Sequence, residues 1–199
     1  MLTKRILDVI VAVLGLVILA PVLLLIGLLI KLTSPGPVFF RQERVGLNAK
    51  VFAIHKFRTM TMDAPLKGLN LTVGKDKRIT PIGRMLRKTK LDELPQLIDV
   101  LVGNMSLVGP RPEVPEFVTF YSPEIKQIVL SVRPGITEWA SIRMIDENEL
   151  LAKSTDPRQA YIKYILPEKL DFAVKYVQTR TFYQDCRIIF ATIIRLFTR

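Results

Sequence analysis

Cysteine occurs once in 199 residues, as Cys186, so no intrachain disulfide is available and a reducing compartment is the natural setting. Histidine also occurs once, as His55, which rules out a histidine-based triad and a multi-histidine metal site and leaves a structural role. Trp139 is the lone tryptophan and sits beside a Pro-Gly turn, where core packing and membrane-interface anchoring are both ordinary roles. Acidic residues are scarce: 18 Asp and Glu against 29 Lys and Arg give a formal net charge of +11. Such a surplus points to an anionic partner, whether nucleic acid, an acidic membrane face or a phosphorylated small molecule. The chain carries no compact aromatic-basic motif of the RNA-binding kind, which argues against nucleic acid. It has no internal repeat or low-complexity tract, and its length suffices for one globular domain plus a short appendage.

Apolar residues are abundant, at 49%, and they are concentrated in residues 6–32, where Asp8 and Lys31 are the only charges. The run is too long for a signal-peptide core, and no small-residue cleavage site follows it. As a helix its 27 residues would reach ~40 Å, enough to cross a ~30 Å hydrocarbon layer. Two features oppose a simple crossing. Pro21 lies mid-run and removes a helix hydrogen bond. Both flanks are basic, with Lys4 and Arg5 before the run and Lys31, Arg41, Arg44, Lys50, Lys56 and Arg58 after it, so both ends prefer the cytoplasmic side. Either arm alone spans only roughly 18–22 Å. A helix that enters, bends at Pro21 and returns satisfies all of this; a straight single span is the alternative.

Thr33-Ser34-Pro35-Gly36-Pro37 is turn chemistry that ends the apolar helix. Residues 38–40 and 51–54 read as strands of a hairpin, 61–75 as a polar loop, and 80–88 and 92–102 as helices. Residues 113–132 hold one or two helices broken near Ser122-Pro123, and residues 133–137 form a rigid turn. Residues 157–179 are mainly helical, with Pro167 as a break or a start. The last segment, residues 186–199, sets Ile188, Ile189, Ile193, Ile194, Leu196 and Phe197 among Arg187, Arg195 and Arg199. It suits either a membrane interface or a core helix with a basic outer face.

Lys90-Leu91-Asp92-Glu93-Leu94-Pro95-Gln96-Leu97, followed by Met105-Ser106-Leu107-Val108-Gly109-Pro110-Arg111-Pro112, carries the chemistry. Asp92 is a natural N-cap, with Pro95 tolerated in the first helical turn. Free N–H groups at a helix start attract phosphate oxygens, and Arg87, Lys88, Lys90 and Arg111 add cationic charge. In that field Asp92 is expected to be ionised, with its pKa drawn down, and so to be a competent nucleophile toward phosphorus. A carboxylate beside phosphates also makes a Mg²⁺ site plausible, with the metal keeping most of its waters. Glu93 could orient a ligand water, act as a base, or hold the metal.

The chain resembles the small monotopic phosphoglycosyl transferases of the bacterial sugar transferase family. The resemblance rests on Lys4-Arg5-Ile6-Leu7-Asp8, Ser34-Pro35-Gly36-Pro37-Val38-Phe39-Phe40-Arg41-Gln42, Lys56-Phe57-Arg58-Thr59-Met60, the Asp92-Glu93 segment, Gly109-Pro110-Arg111-Pro112 and Val132-Arg133-Pro134-Gly135-Ile136-Thr137, which occur in the family order. It implies a predominantly helical α/β fold with a re-entrant membrane helix at residues 1–32. Residues 33–199 would form a cytoplasmic catalytic domain with amphipathic interfacial helices, at the bacterial inner membrane. It also implies transfer of a sugar-1-phosphate from a UDP-sugar to undecaprenyl phosphate, with Mg²⁺ and release of UMP, as the first membrane step of glycoconjugate assembly. Asp92 would be nucleophile and metal ligand, Glu93 its catalytic partner, and Lys56, Arg58, Arg87, Arg111 and Arg133 substrate-binding cations; anionic lipids would take up the remaining positive charge.

Two departures stand out. Ala20-Pro21 replaces the Ser-Pro often found at the membrane break, and Glu138-Trp139-Ala140-Ser141 replaces the usual Gly-Trp-Ala-Gln. The rival reading is a non-catalytic membrane scaffold for a glycosylation pathway.

Overall fold

In the computed structural model, residues 2–64, 71–74, 76–144 and 147–198 are described. Of the segments read above, residues 65–70 and 75 of the 61–75 loop and Arg199 lie outside them. The apolar run forms one helix, α1 (Leu2–Thr33), which continues through Pro21 without an interruption. A proline costs one ladder bond, and the remaining bonds carry the helix across it. The helix-break-helix expectation therefore meets an unbroken helix. It is the one helix among the described residues long and apolar enough to cross a membrane.

One stripe of α1 packs against the rest of the protein. Asp8, Ala12, Ile26 and Ile30 are buried, a spacing that keeps one helical face inward. Val13, Leu14, Val17, Ile18, Leu24, Leu25 and Leu28 stay exposed. Both ends of the helix are tied down. Lys4 pairs with Asp185 at 2.6 Å, and Arg5 donates to the carbonyls of Val100 at 2.7 Å and Leu101 at 3.1 Å. At the other end Ile26 and Ile30 pack with Phe57 and Leu86.

The hairpin is β1 (Phe39–Val45) paired antiparallel with β2 (Val51–Phe57), in a register that sets Phe39 opposite Phe57 and Val45 opposite Val51. It extends past the predicted strands because Arg41-Gln42-Glu43-Arg44, which reads as loop by polarity, forms the more solvated strand of a ribbon whose other strand buries Phe52, Ile54 and Phe57. Arg58, just beyond β2, is buried and donates to the carbonyls of Ser34 and Pro35, both at 2.7 Å. These bonds pin the turn after α1, where Gly36 adopts a φ of 114° that favours glycine.

Helix α2 (Pro81–Thr89) starts at an N-cap, Thr80, whose side chain accepts from the Gly83 amide. A 3-10 turn follows at Leu91–Glu93, and then α3 (Gln96–Leu101). Two short strands, β3 (Ser106–Val108) and β4 (Gly135–Thr137), the second read in the sequence as a rigid turn, pair in parallel. Helices α4 (Pro115–Val118) and α5 (Pro123–Val129) lie between them, broken as expected at Ser122, which caps α5. After β4 come α6 (Trp139–Arg143), α7 (Glu147–Ala152), α8 (Pro157–Ala160), a π-helical turn at Tyr161–Ile165, α9 (Leu166–Thr179) and α10 (Phe182–Phe197). Pro167 falls in the first turn of α9, where its missing N–H is harmless. Helix α10 buries Ile188 and Asp185 while exposing Phe190, Ile193, Ile194 and Leu196.

One core cluster joins Phe117, Tyr161, Leu166 and Leu170, with the Phe117 and Tyr161 rings 4.5 Å apart. Another joins Ala12 of α1 to Ile54, Leu97, Val100, Met105, Tyr176 and Ile188. Each large aliphatic side chain so buried contributes roughly 1.5–3 kcal/mol. The acid pair lies between α2 and α3, and its partners come from β2 and from the loop after β3.

Candidate active site

The turn bearing the acid pair is fixed by main-chain geometry. Lys90 ends α2 in the left-handed region at φ 59°, and the Glu93 amide donates back to the Lys90 carbonyl at 3.1 Å. Helix α3 begins only after Pro95, so Asp92 does not cap it. The expected N-cap role and the helix over residues 92–102 are thus corrected to a 3-10 turn and a six-residue helix. The reversal at Lys90 and the proline at 95 together prevent the α-helical ladder from forming earlier.

Both carboxylates are buried, Asp92 at 7% and Glu93 at 9% exposure. Glu93 is fully engaged. Lys56 donates to its Oε1 at 3.0 Å, and Arg111 grips both oxygens, at 2.5 Å to Oε1 and 3.3 Å to Oε2. Asp92 differs: its Oδ1 is buried and has no hydrogen-bond partner among the described residues. An orphaned carboxylate oxygen beside a neighbour with two cationic partners is costly unless something else uses it.

The electrostatics divide the pair in the opposite sense to the expectation for Asp92. Burial and the neighbouring Glu93 charge raise the Asp92 pKa, against the pull of Lys56, Lys90 and Arg87. Burial also works to raise Glu93, but Arg111, Lys56 and Lys90 overcome it and hold that carboxyl well below the usual range. The nearby cations serve mainly Glu93, so the expected downward shift at Asp92 is corrected to an upward one. Burial lowers Lys56 to about 8 despite Glu93.

The other predicted site residues fall in three places. Arg87 lies close enough to act on Asp92 electrostatically, and it donates to the hydroxyls of Thr59 at 2.8 Å and Thr72 at 3.0 Å. Arg58 is spent on the Ser34-Pro35 turn. Arg133 donates to the Gly103 carbonyl at 2.8 Å from an exposed position. Lys56, Glu93 and Arg111 are therefore brought together, Arg87 adjoins them through Asp92, and Arg58 and Arg133 hold turns. His55 takes the structural role expected of it, with its amide and Nδ1 both 2.8 Å from the fully buried Asp99 and its Nε2 facing Arg41.

Sequence reasoning gave no role to Arg44 or Gln96, and it noted Glu138, which is buried, only as a departure from the family pattern. Arg44 on β1 donates to the Pro112 carbonyl at 3.0 Å and steadies the loop bearing Arg111. Gln96 is 1% exposed, and its amide nitrogen lacks a partner among the described residues. Its position four residues after Asp92 was the one available signal. The Arg111 loop is further laced to β4: the Gly109 amide donates to Thr137 at 3.2 Å and the Gly135 amide to Pro110 at 2.9 Å. A Cβ on Gly135 would lie 2.0 Å from the Gly109 nitrogen, so this approach requires glycine.

The described residues contain no group of three or more His, Cys, Asp or Glu that could hold a metal ion. A metal caged by protein ligands alone does not fit them. A Mg²⁺ ion held through Asp92 and completed by phosphates and water does fit, because Mg²⁺ commonly takes one or two carboxylates and keeps its waters, and Asp92 has a free oxygen.

All 199 residues match the family described as bacterial sugar transferase. The chain is 38% identical over 199 residues to UDP-glucose:undecaprenyl-phosphate glucose-1-phosphate transferase of Escherichia coli, covering 98% of this chain and 40% of that protein. It is 36% identical to UDP-N-acetylgalactosamine-undecaprenyl-phosphate N-acetylgalactosaminephosphotransferase of Aeromonas hydrophila, covering 98% of this chain and 44% of the relative. A protein of Caulobacter vibrioides with the same name as the Escherichia coli one is 38% identical, covering 99% of this chain and 70% of the relative. The chain thus spans about two fifths of the length of the first two relatives.

Proposed function

The chain belongs to the bacterial sugar transferase family, and from that membership we propose that it moves a sugar-1-phosphate from a UDP-sugar to undecaprenyl phosphate. One observation carries the reading: a buried aspartate with an unpartnered oxygen stands beside a glutamate held by Lys56 and Arg111. An Asp92 oxygen attacks the phosphorus bonded to the sugar. An O–P bond forms to Asp92, the bridging P–O bond of the diphosphate breaks, and UMP leaves with the electron pair. A phosphate oxygen of undecaprenyl phosphate then attacks the same phosphorus, which forms the lipid diphosphate and frees the Asp92 carboxylate.

Attack requires ionised Asp92. Burial and Glu93 oppose ionisation, whereas Lys56, Lys90 and Arg87 favour it. Mg²⁺ on the Asp92 carboxylate would favour it further and neutralise the donor diphosphate. Because Glu93 is occupied by two cations, its role is to hold Lys56 and Arg111 in register, which narrows the three roles open in the sequence. Arg87, which acts on Asp92 electrostatically, would meet a donor phosphate there.

A re-entrant α1 is part of this reading. Thirty-two helical residues measure ~48 Å. Yet the same body of the protein holds Lys4 and Arg5 at one end of α1 and packs on Ile26 and Ile30 near the other. A perpendicular span would carry one of those ends across the bilayer, away from that body. The exposed apolar residues of α1 and α10 would meet lipid, and the catalytic body would face the cytoplasm at the bacterial inner membrane, with anionic headgroups meeting the surplus positive charge. Cysteines placed at Leu2 and Thr33, with Cys186 replaced, should label from the same side; labelling from opposite sides overturns the topology. A panel of UDP-sugars with undecaprenyl phosphate and Mg²⁺, assayed for UMP release, tests the activity. Release with at least one donor supports it, and none with any donor favours the scaffold.

A further inference from the structure

A cavity of about 100 Å³ opens between α6, α9 and α10, away from the acid pair. Its walls are Trp139 and Arg143 from α6, Phe172, Lys175 and Tyr176 from α9, and Gln184 from α10. One water needs roughly 10–15 Å³, so the space admits a group of several heavy atoms, such as a phosphate. Two cations supply the charge. Arg143 lies over the rings of Trp139 and Phe172, its guanidinium carbon 5.4 and 5.7 Å from their centroids. A guanidinium held by rings keeps its N–H donors, and among the described residues none of them meets a carboxylate. Lys175 is likewise without an ion pair there, and both cations are exposed, so the cavity opens to the surface. The acids nearby in the chain do not cancel this charge. Asp185, which accepts from the Tyr176 hydroxyl at 2.7 Å, is paired with Lys4 at 2.6 Å. Glu168 and Asp171 of α9 are exposed and pair with neither cation.

The surroundings point to a lipid as the source of the anion. Gln184 follows Phe182 and Tyr183, which are 55% and 71% exposed in the first turn of α10. Arg187 sits over the Tyr183 ring at 5.9 Å, and Phe190 and Ile194 continue the exposed face. Exposed aromatics interleaved with arginines suit the headgroup level of a bilayer. We propose that this cavity binds the headgroup phosphate of an anionic phospholipid, with Arg143 and Lys175 as its cationic donors. The acceptor of the transfer reaction belongs elsewhere, since its phosphate must reach Asp92, and Lys56, Glu93 and Arg111 form no part of this wall. The inference uses the membrane placement proposed above and not the transfer chemistry, so a protein that releases no UMP can still bind lipid here, and the reverse.

Trp139 is the only tryptophan and lines the cavity, so its fluorescence reports the occupant directly. Full-length protein in neutral detergent is titrated with dihexanoyl-phosphatidylglycerol, with dihexanoyl-phosphatidylcholine, with inorganic phosphate and with UDP. The phosphatidylglycerol should give a saturable change that the phosphatidylcholine does not. Arg143→Gln and Lys175→Gln should each weaken that binding roughly fivefold, the worth of one cation at an anionic surface. Equal responses to the two lipids, no saturable response to phosphatidylglycerol, or unchanged midpoints in both variants would overturn the proposal. Saturation by inorganic phosphate at the same concentration as the lipid would overturn it in favour of a free-phosphate site. A UDP response lost in Arg143→Gln would assign the cavity to the sugar donor instead and overturn it equally. If Arg143→Gln does not fold, Lys175→Gln, at an exposed position, decides the matter with the lipid comparison.

Discussion

Glu93→Gln removes the negative charge that two buried cations share. Lys56 sits 3.0 Å from the Glu93 carboxylate and Arg111 2.5 Å, and all three side chains are largely out of solvent. Breaking a buried pair by deleting one partner costs about 3–5 kcal/mol, because the remaining charge keeps its desolvation penalty. For a chain of this size that corresponds to a melting-temperature drop of roughly 6–20 °C. The loss should also depend on pH in a definite direction. Lys56 has its folded-state pKa lowered to about 8, so below pH 8 the wild-type protein carries an ammonium that Glu93 compensates. Without Glu93 that ammonium must either stay buried beside Arg111 or give up its proton, and either outcome costs stability. Above pH 8 Lys56 is neutral in both proteins, and only the Arg111 contact is missing. The melting difference between wild type and Glu93→Gln, followed by intrinsic fluorescence in detergent, should therefore be largest near pH 6–7 and shrink by pH 9. A difference of under about 1 kcal/mol, the worth of an exposed pair, or one that does not change with pH, would refute the cluster as described.

Two further substitutions probe the scaffold. Asp8→Ala removes the acceptor for the Ser106 hydroxyl at 2.7 Å and the Leu107 amide at 3.2 Å, a buried tie from α1 to β3. It should cost about 1–3 kcal/mol for each group left unsatisfied, and Asp8→Asn should recover part of the loss in the same thermal melt. Gly135→Ala would drive a Cβ to 2.0 Å from the Gly109 nitrogen, where only main chain is present to give way. It should cost roughly 1–3 kcal/mol and lower turnover by moving the Arg111 loop; a melt unchanged from wild type would contradict the close approach.

The helices with caps and amphipathic spacing were legible in the sequence. Thr80 and Ser122 mark starts that the structure keeps, and the Ser34-Pro35-Gly36-Pro37 turn ends α1 as read. The parallel pair β3–β4 was not legible, because three-residue strands flanked by prolines carry no periodicity and pair across 29 residues of sequence. The acid pair was visible as a motif, but its local structure depended on Lys90 adopting a positive φ, which nothing in a lysine announces. Its charge balance depended on Lys56 and Arg111 arriving from β2 and from the loop after β3, contacts of 37 and 18 residues in separation. Proximity in sequence suggested that Arg87, Lys88 and Lys90 would lower the Asp92 pKa. Burial and the adjacent Glu93 reverse that. Arg58 is the clearest case of a motif residue whose side chain turns out to be a strut, since its guanidinium is spent on two backbone carbonyls.

The measurement closest to the central claim is the intact mass of the purified protein after incubation with a UDP-sugar donor in the absence of undecaprenyl phosphate. A covalent adduct with the mass of the sugar phosphate, mapped to Asp92 by fragmentation, lost on adding undecaprenyl phosphate and missing in Asp92→Asn, is the expected result. Turnover by Asp92→Asn, or an adduct carried on any other residue, would contradict it.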